Sequence, residues 1–98
     1  SVIFNKGSYL VTKDYLARLN MLADRFFKCQ GVNIVLVGIG DGSVTRDEQP
    51  IEFRRIDAVA RYLIKMGIPS NKIVLTSQTY DSVGKEGDKD RVDVFFGR

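Results

Sequence analysis

Residues 32–37, VNIVLV, are an uncharged and largely apolar run, and this run decides how the chain is interpreted. Such a segment, lacking strict alternation, is typical of a central strand that is covered on both faces or flanked by parallel neighbours. Residues 38–55, GIGDGSVTRDEQPIEFRR, follow with three glycines in five positions and paired arginines at the end. The sequence therefore predicts the centre of a sheet at residues 32–37, with a polar loop after it.

A helix is predicted on each side of this strand. Thr12 is an N-cap candidate for the first helix, and Gly31 marks its stop. Pro50 suits the first turn of the second helix, and Gly67 followed by Pro69 ends it. The apolar stripes are Leu16, Leu19, Leu22, Ala23 and Phe26 in the first helix, and Ile56, Val59, Ala60, Leu63 and Met66 in the second. Each spacing predicts a helix with one buried face.

Three further segments, residues 2–4, 72–76 and 91–96, are predicted strands because β-branched and aromatic residues dominate them. The last two strands are expected to be antiparallel to each other or separated by an intervening strand. The order β-α-β-α-β-β predicts an α+β fold. It is a two-layer sandwich in which two main helices pack on a mixed sheet of about four strands. Residues 1–98 are expected to form a single domain excised from a longer protein.

Composition excludes several classes of function. The net charge is +3, and the basic residues are interleaved with acids, so no nucleic-acid partner is expected. No apolar stretch approaches the roughly 20 residues that span a bilayer, so no membrane span is expected within this chain. The chain has no histidine and one cysteine, Cys29, which we expect to be half-buried. We therefore predict no enzyme, no catalytic residue, no metal site and no cofactor.

The glycine-bearing loop does not fit two common kinds of ligand site. A phosphate-binding loop runs directly into a helix, whereas here the predicted helix begins about ten residues after the glycines. An EF-hand calcium loop starting at Asp41 needs glycine at its sixth position, where Arg46 stands. We interpret both partial matches as accidental.

A third interpretation is a charge-paired site. Asp41 follows the central strand, and Arg55 lies near the start of the next helix, at the kind of sheet edge where ligands bind. A carboxylate and a guanidinium held apart suit a zwitterion, since one binds an ammonium group and the other binds a carboxylate. The alternative is a plain surface ion pair or two solvated side chains. From the residues alone, this alternative is favoured.

Motifs along nearly the whole chain match one known family. They are Ile3-Phe4, Gly38-Ile39-Gly40-Asp41, the helix positions Arg55, Val59, Tyr62 and Leu63, the segment GIPSNKI at 67–73, and Lys89-Asp90-Arg91-Val92. With these motifs the sequence resembles the OmpA C-terminal-like domain, the peptidoglycan-associated module of Gram-negative envelope lipoproteins, porins and flagellar stator proteins. The family has Gly-His-Thr-Asp at 38–41 and Asn-Arg-Arg-Val at 89–92.

The resemblance implies a ligand site. In the family, the aspartate and the helix arginine bind the amino and carboxylate groups of diaminopimelate in uncrosslinked peptidoglycan stems. These roles fall on Asp41 and Arg55, with Arg91 in support. Glu48 falls about where a family asparagine assists the ligand. Other departures from the family pattern are Ile39 for His, Gly40 for Thr, Ile51-Glu52 for Leu-Ser and Asp90 for the first motif arginine.

Two functions follow from this resemblance. The first is a non-catalytic periplasmic anchor that binds peptidoglycan, tethered to the outer or inner membrane by a segment outside this chain. The alternative is a degenerate domain that acts as a protein–protein scaffold with other subunits of an envelope-spanning complex, such as a secretion system, its peptidoglycan binding weakened or lost. The anchor is placed slightly ahead because both Asp41 and Arg55 persist.

Overall fold

The structure is a computed structural model, and it describes residues 1–40, 42, 44, 48–79 and 90–97. Two helices lie between the first three strands, and a fourth strand follows. The elements are β1 (Val2–Ile3), α1 (Lys13–Lys28), β2 (Asn33–Gly40), α2 (Ile51–Lys65), a 3-10 turn (Ser70–Lys72), β3 (Ile73–Thr79) and β4 (Arg91–Gly97). The predicted α+β class and the predicted order β-α-β-α-β-β are confirmed. None of the described helices is long and apolar enough to cross a membrane.

The four strands form one mixed sheet in the order β1-β4-β2-β3. Strand β2 pairs parallel with β3 and antiparallel with β4, and β1 pairs antiparallel with β4. The predicted central strand, β2, is therefore an interior strand. It lies between β3 and β4, which confirms the predicted arrangement in which another strand separates the last two. Helix α2 connects β2 to its parallel neighbour β3, which is the usual role of a crossover helix.

The core lies between the sheet and the two helices. Ile34 and Leu36 of β2 are completely buried on the helix side, and the helices bury their predicted stripes against them. The buried members of those stripes are Leu19 and Ala23 in α1 and Ile56, Val59, Ala60 and Leu63 in α2. Val37 and Ile39, which point to the other face of β2, are buried as well. Burial on both faces explains why residues 32–37 carry no charge and do not alternate.

Strand β2 is longer than predicted, because its pairing with β3 continues to Gly40. Gly38 and Gly40 are therefore strand residues rather than loop residues. A Cβ atom at residue 38 would lie 2.5 Å from Cδ1 of buried Ile56 and 3.1 Å from the carbonyl oxygen of Glu52. Glycine at this position lets helix α2 approach the sheet closely, which is a packing role rather than a phosphate-binding one.

The predictions at the helix ends are confirmed in part. Thr12 is the N-cap residue of α1, but its side chain makes no capping hydrogen bond. Pro50 is the N-cap of α2 and precedes its first turn, while Met66 lies just beyond the last turn and is exposed. Cys29, predicted to be half-buried, is exposed because it follows the exposed end of α1 rather than lying on the buried stripe.

The close approach at Gly38 makes a testable prediction about stability. Gly38→Ala should lower the free energy of unfolding by about 1–3 kcal/mol, because the added methyl group overlaps a buried side chain that has little room to move. Ser77→Ala is the matched control, since Ser77 is the register partner of Gly38 and is exposed on β3. Denaturant unfolding of both variants measures the difference. Equal stability of the two would show that α2 does not approach the sheet as described.

Candidate functional site

Arg55 is the one charged residue among the described residues that is fully buried, with 1% of its surface exposed. It lies in the second turn of α2, and its guanidinium reaches three protein acceptors. Nε donates to the carbonyl oxygen of Ser8 at 2.8 Å, and Nη2 donates to the carbonyl oxygen of Asn5 at 3.3 Å. Nη1 forms an ion pair with Oδ1 of Asp90 at 3.1 Å. The guanidinium also lies 5.3 Å from the ring centre of Phe4.

These contacts connect three parts of the chain that are distant in sequence. Asn5 and Ser8 belong to the turn after β1, where the Ser8 amide donates to the Asn5 carbonyl oxygen and Gly7 adopts a φ of +73°. Such a φ favours glycine, so Gly7 helps to shape the turn whose carbonyls face Arg55. Asp90 immediately precedes β4. The arginine predicted to bind a ligand thus joins helix α2 to one end of the antiparallel β1–β4 pair, where the chain leaves β1 and enters β4.

The charge of Arg55 is balanced within the protein. A buried guanidinium is stable only when acceptors and a counter-charge replace its water, and Asp90 supplies that counter-charge. Asp90 stands where the family has an arginine. This acid in place of a base was the one sequence feature that could have indicated the ion pair with Arg55. Sequence reasoning did not identify Asn5, Ser8 or Asp90 as partners of Arg55.

A second local feature joins Gly40 to Glu52. A Cβ atom at residue 40 would lie 2.7 Å from Oε1 of Glu52, so the glutamate side chain occupies the space beside the glycine. The other carboxylate oxygen, Oε2, is buried and has no hydrogen-bond partner among the described residues. The two departures from the family pattern, Gly40 for Thr and Glu52 for Ser, are therefore neighbours. The glutamate side chain, which is larger than serine, occupies the space that a threonine side chain at residue 40 would need.

The remaining predicted site residues lie in different surroundings. Asp41 follows the last residue of β2, and its own placement lies outside the described residues, as does that of Arg46. Glu48 is exposed and has a φ of +61°, a left-handed conformation that costs a non-glycine residue roughly 1–2 kcal/mol. It lies two positions before Pro50, which forms an antiparallel bridge with Val44.

Arg91 is not brought together with Arg55. Its neighbour Val92 is buried in the core on the helix side, so the alternation of β4 directs Arg91 to the opposite face of the sheet. There its Nε lies 3.0 Å from Oδ1 of Asp93, which also accepts a hydrogen bond from the Ser1 hydroxyl at 2.6 Å. The supporting role of Arg91 stays a prediction. In this structure Arg91 lies on the other face of the sheet, so it is not positioned to contact a ligand bound at Arg55.

Solved structures share this fold. The peptidoglycan-associated lipoprotein from Burkholderia pseudomallei matches with a TM-score of 0.76 and 23% identity, covering 97% of this chain and 87% of that one. The C-terminal domain of Helicobacter pylori MotB matches with a TM-score of 0.74 and 20% identity, covering 99% and 83%. The OmpA-like domain of FopA1 from Francisella tularensis matches with a TM-score of 0.75 and 15% identity, covering 98% and 70%.

No family model and no curated protein matches the sequence. The structural likeness confirms, at the level of the fold, the resemblance to OmpA C-terminal-like domains that the motifs predicted. At these identities it carries no residue roles to this chain.

The buried guanidinium makes a prediction about stability. Arg55→Ala should lower the free energy of unfolding by about 3–5 kcal/mol, because it removes the buried ion pair with Asp90 and empties a packed site. Arg61→Ala on the same helix is the control, since its ion pair with Asp57 is exposed and contributes about 0.5 kcal/mol. Urea unfolding measures both. Similar losses for the two variants would contradict the structural role of Arg55.

Proposed function

We propose that this chain is a non-catalytic periplasmic domain that anchors an envelope protein to peptidoglycan by binding the diaminopimelate of the stem peptide. The observation that carries the proposal is the burial of Arg55 in α2, within a fold shared with a protein named for its association with peptidoglycan. A guanidinium held in a fixed position is the group that binds a ligand carboxylate with defined geometry.

Both ends of a zwitterionic ligand have candidate partners. Arg55 receives the carboxylate, and Asp41 receives the ammonium group. The unpartnered oxygen of Glu52, next to Gly40 and hence one residue from Asp41 in sequence, supports a cationic ligand group at that end. Glu48, strained and exposed in the same loop, is retained as a ligand contact, because backbone strain in loops is concentrated at functional sites.

The ion pair with Asp90 sets the strength of this binding. A ligand carboxylate reaches Arg55 only by displacing or sharing the Asp90 carboxylate at 3.1 Å. Losing such a charged hydrogen bond costs roughly 1.5–3 kcal/mol, which is subtracted from the binding free energy. We therefore expect a weaker interaction with peptidoglycan than an arginine without an internal counter-charge would provide.

A second candidate function is a protein–protein scaffold in an envelope complex, such as a secretion system. The observation that favours it is again the ion pair, because Arg55 satisfied by Asp90, Ser8 and Asn5 serves the fold without any ligand. On this alternative the domain keeps the OmpA-like architecture and contacts other subunits. The membrane tether, on either proposal, is supplied by a segment outside this chain.

Co-sedimentation with purified sacculi tests the anchor. The wild-type domain should pellet with the sacculi, and Asp41→Ala should remove most of that binding because the ammonium group loses its partner. Asp57→Ala is the control, since it removes an equal charge from an exposed position of α2. Wild-type protein that remains in the supernatant would rule out the anchor. Capture of defined envelope subunits by that same protein would then support the scaffold.

Asp90→Asn separates the two roles of Arg55. If Arg55 binds the ligand, removing the competing charge should raise the affinity for sacculi by about tenfold or more, in line with the 1.5–3 kcal/mol of a charged hydrogen bond. If Arg55 is only structural, Asp90→Asn lowers thermal stability without increasing binding. Binding isotherms and melting curves, measured on the same preparation, distinguish these results.

A further inference from the structure

An open groove with an apolar floor lies between helix α1 and strand β4. Its volume is about 240 Å³, and the residues that line it are Arg18, Met21, Leu22 and Arg25 of α1 and Phe96 of β4. Met21 and Phe96 are large apolar side chains, and both are exposed. Because pockets for small molecules usually have roughly 300–1,000 Å³, this groove suits a side chain better than a whole small ligand.

The groove is uncovered by the described part of the sheet. Strand β1 pairs with β4 only at Arg91 and Val92, so beyond Val92 no described strand lies on that side of β4. Phe96 is the register partner of buried Ile34 and therefore faces the helix side, where it lines the groove together with α1. The internal segments outside the described residues join the chain at the opposite end of the sheet, where β2 and β3 end and β4 begins.

Two arginines flank the apolar floor, and no acid is among the lining residues. Arg18 and Arg25 are exposed, and neither forms an ion pair with an acid of the described residues. The guanidinium of Arg18 lies 5.1 Å from the ring centre of Tyr15. The two arginines are seven positions apart on α1, which is two turns or about 10 Å along the helix axis, with Met21 between them. The groove therefore carries a positive charge that the lining residues do not balance.

We propose that this groove binds an acidic amphipathic helix of a partner protein. A helix that lies along α1 places a bulky apolar side chain against Met21 and Phe96. Carboxylates seven positions apart on that helix meet Arg18 and Arg25, because both helices have the same rise per residue. An arginine binds a carboxylate through two parallel hydrogen bonds, so the contact is selective in geometry as well as in charge.

The composition of the groove favours a protein partner over a membrane surface. Arginine, methionine and aromatic residues are enriched in protein interfaces, whereas lysine and acidic residues are depleted there. The groove has two arginines, a methionine and a phenylalanine, and its lining includes no lysine and no acid. Electrostatic attachment to an anionic membrane uses clusters of about four to eight basic residues, which this groove does not provide. The proposal does not depend on peptidoglycan binding, because the groove shares no residue with the proposed peptidoglycan site.

Fluorescence anisotropy with a labelled synthetic peptide tests the proposal. The peptide is an amphipathic helix with leucine and phenylalanine on one face, flanked by glutamates seven positions apart, and its matched analogue has lysines in place of those glutamates. The wild-type domain should bind the glutamate peptide about tenfold or more tightly than the lysine analogue, because each arginine gains a charged hydrogen bond. Arg25→Glu should reverse this preference. Met21→Ser should weaken binding of the glutamate peptide, because the apolar floor loses a contact.

Arg61→Glu is the matched control, since it makes the same change of charge at an exposed position of α2. It should retain the preference of the wild type for the glutamate peptide, and melting curves establish that each variant is folded. Equal binding of both peptides by the wild type overturns the proposal. So does a loss of binding that is no greater for Arg25→Glu than for Arg61→Glu. Binding of the wild type to phosphatidylglycerol vesicles, without binding to the glutamate peptide, overturns it in favour of a membrane surface.

Discussion

The buried ion pair between Arg55 and Asp90 connects helix α2 to the sheet. Arg55 is the fully buried charge of the described structure, and its nitrogens contact the turn after β1 and the residue before β4. Its guanidinium carbon lies 5.3 Å from the ring centre of Phe4. A charge in that position is costly unless every partner is in place, so the interaction fixes the relative positions of α2, β1 and β4. The same requirement limits what else Arg55 can do, because any ligand must replace a partner that is already bound.

Two of the departures from the OmpA-like pattern, Glu52 and Asp90, contact other positions of that pattern. Glu52 fills the space beside Gly40, and Asp90 supplies the counter-charge of Arg55. In both places the residue of the family pattern is replaced by an acid that contacts another part of the chain. Both changes make the region more acidic around one retained cation. On the proposed function, these acids favour the cationic end of a ligand.

The fold was predictable because its signals are local. The uncharged run at 32–37, the two apolar stripes and the Gly67–Pro69 stop can each be identified within one segment. The strand order β1-β4-β2-β3 was not predicted, because it depends on contacts between distant segments. The continuation of β2 through Gly38 and Gly40 was missed, because glycine in a sequence indicates a turn as readily as a close approach of helix and strand. Cys29 was wrongly predicted to be half-buried, because an apolar pattern does not show at which turn of the helix burial ends.

The candidate site was predictable only in part. The importance of Arg55 follows from its place in the helix motif, but its partners are separated from it by tens of residues and depend on how β4 enters the sheet. Two carbonyl oxygens that accept from a side chain leave no trace in the amino-acid sequence. Glu48 shows the same limit, since its left-handed backbone has no signal in its residue type.

On the proposed function, Arg55 both stabilises the fold and binds the carboxylate of a diaminopimelate-bearing stem peptide. Nuclear magnetic resonance of the Arg55 side-chain N–H groups, during titration with a soluble stem peptide that carries diaminopimelate, tests this most directly. The Arg55 Nε–H resonance and the Gly40 amide resonance should shift together and saturate with one dissociation constant. Unchanged Arg55 resonances at peptide concentrations that shift other amides would contradict it.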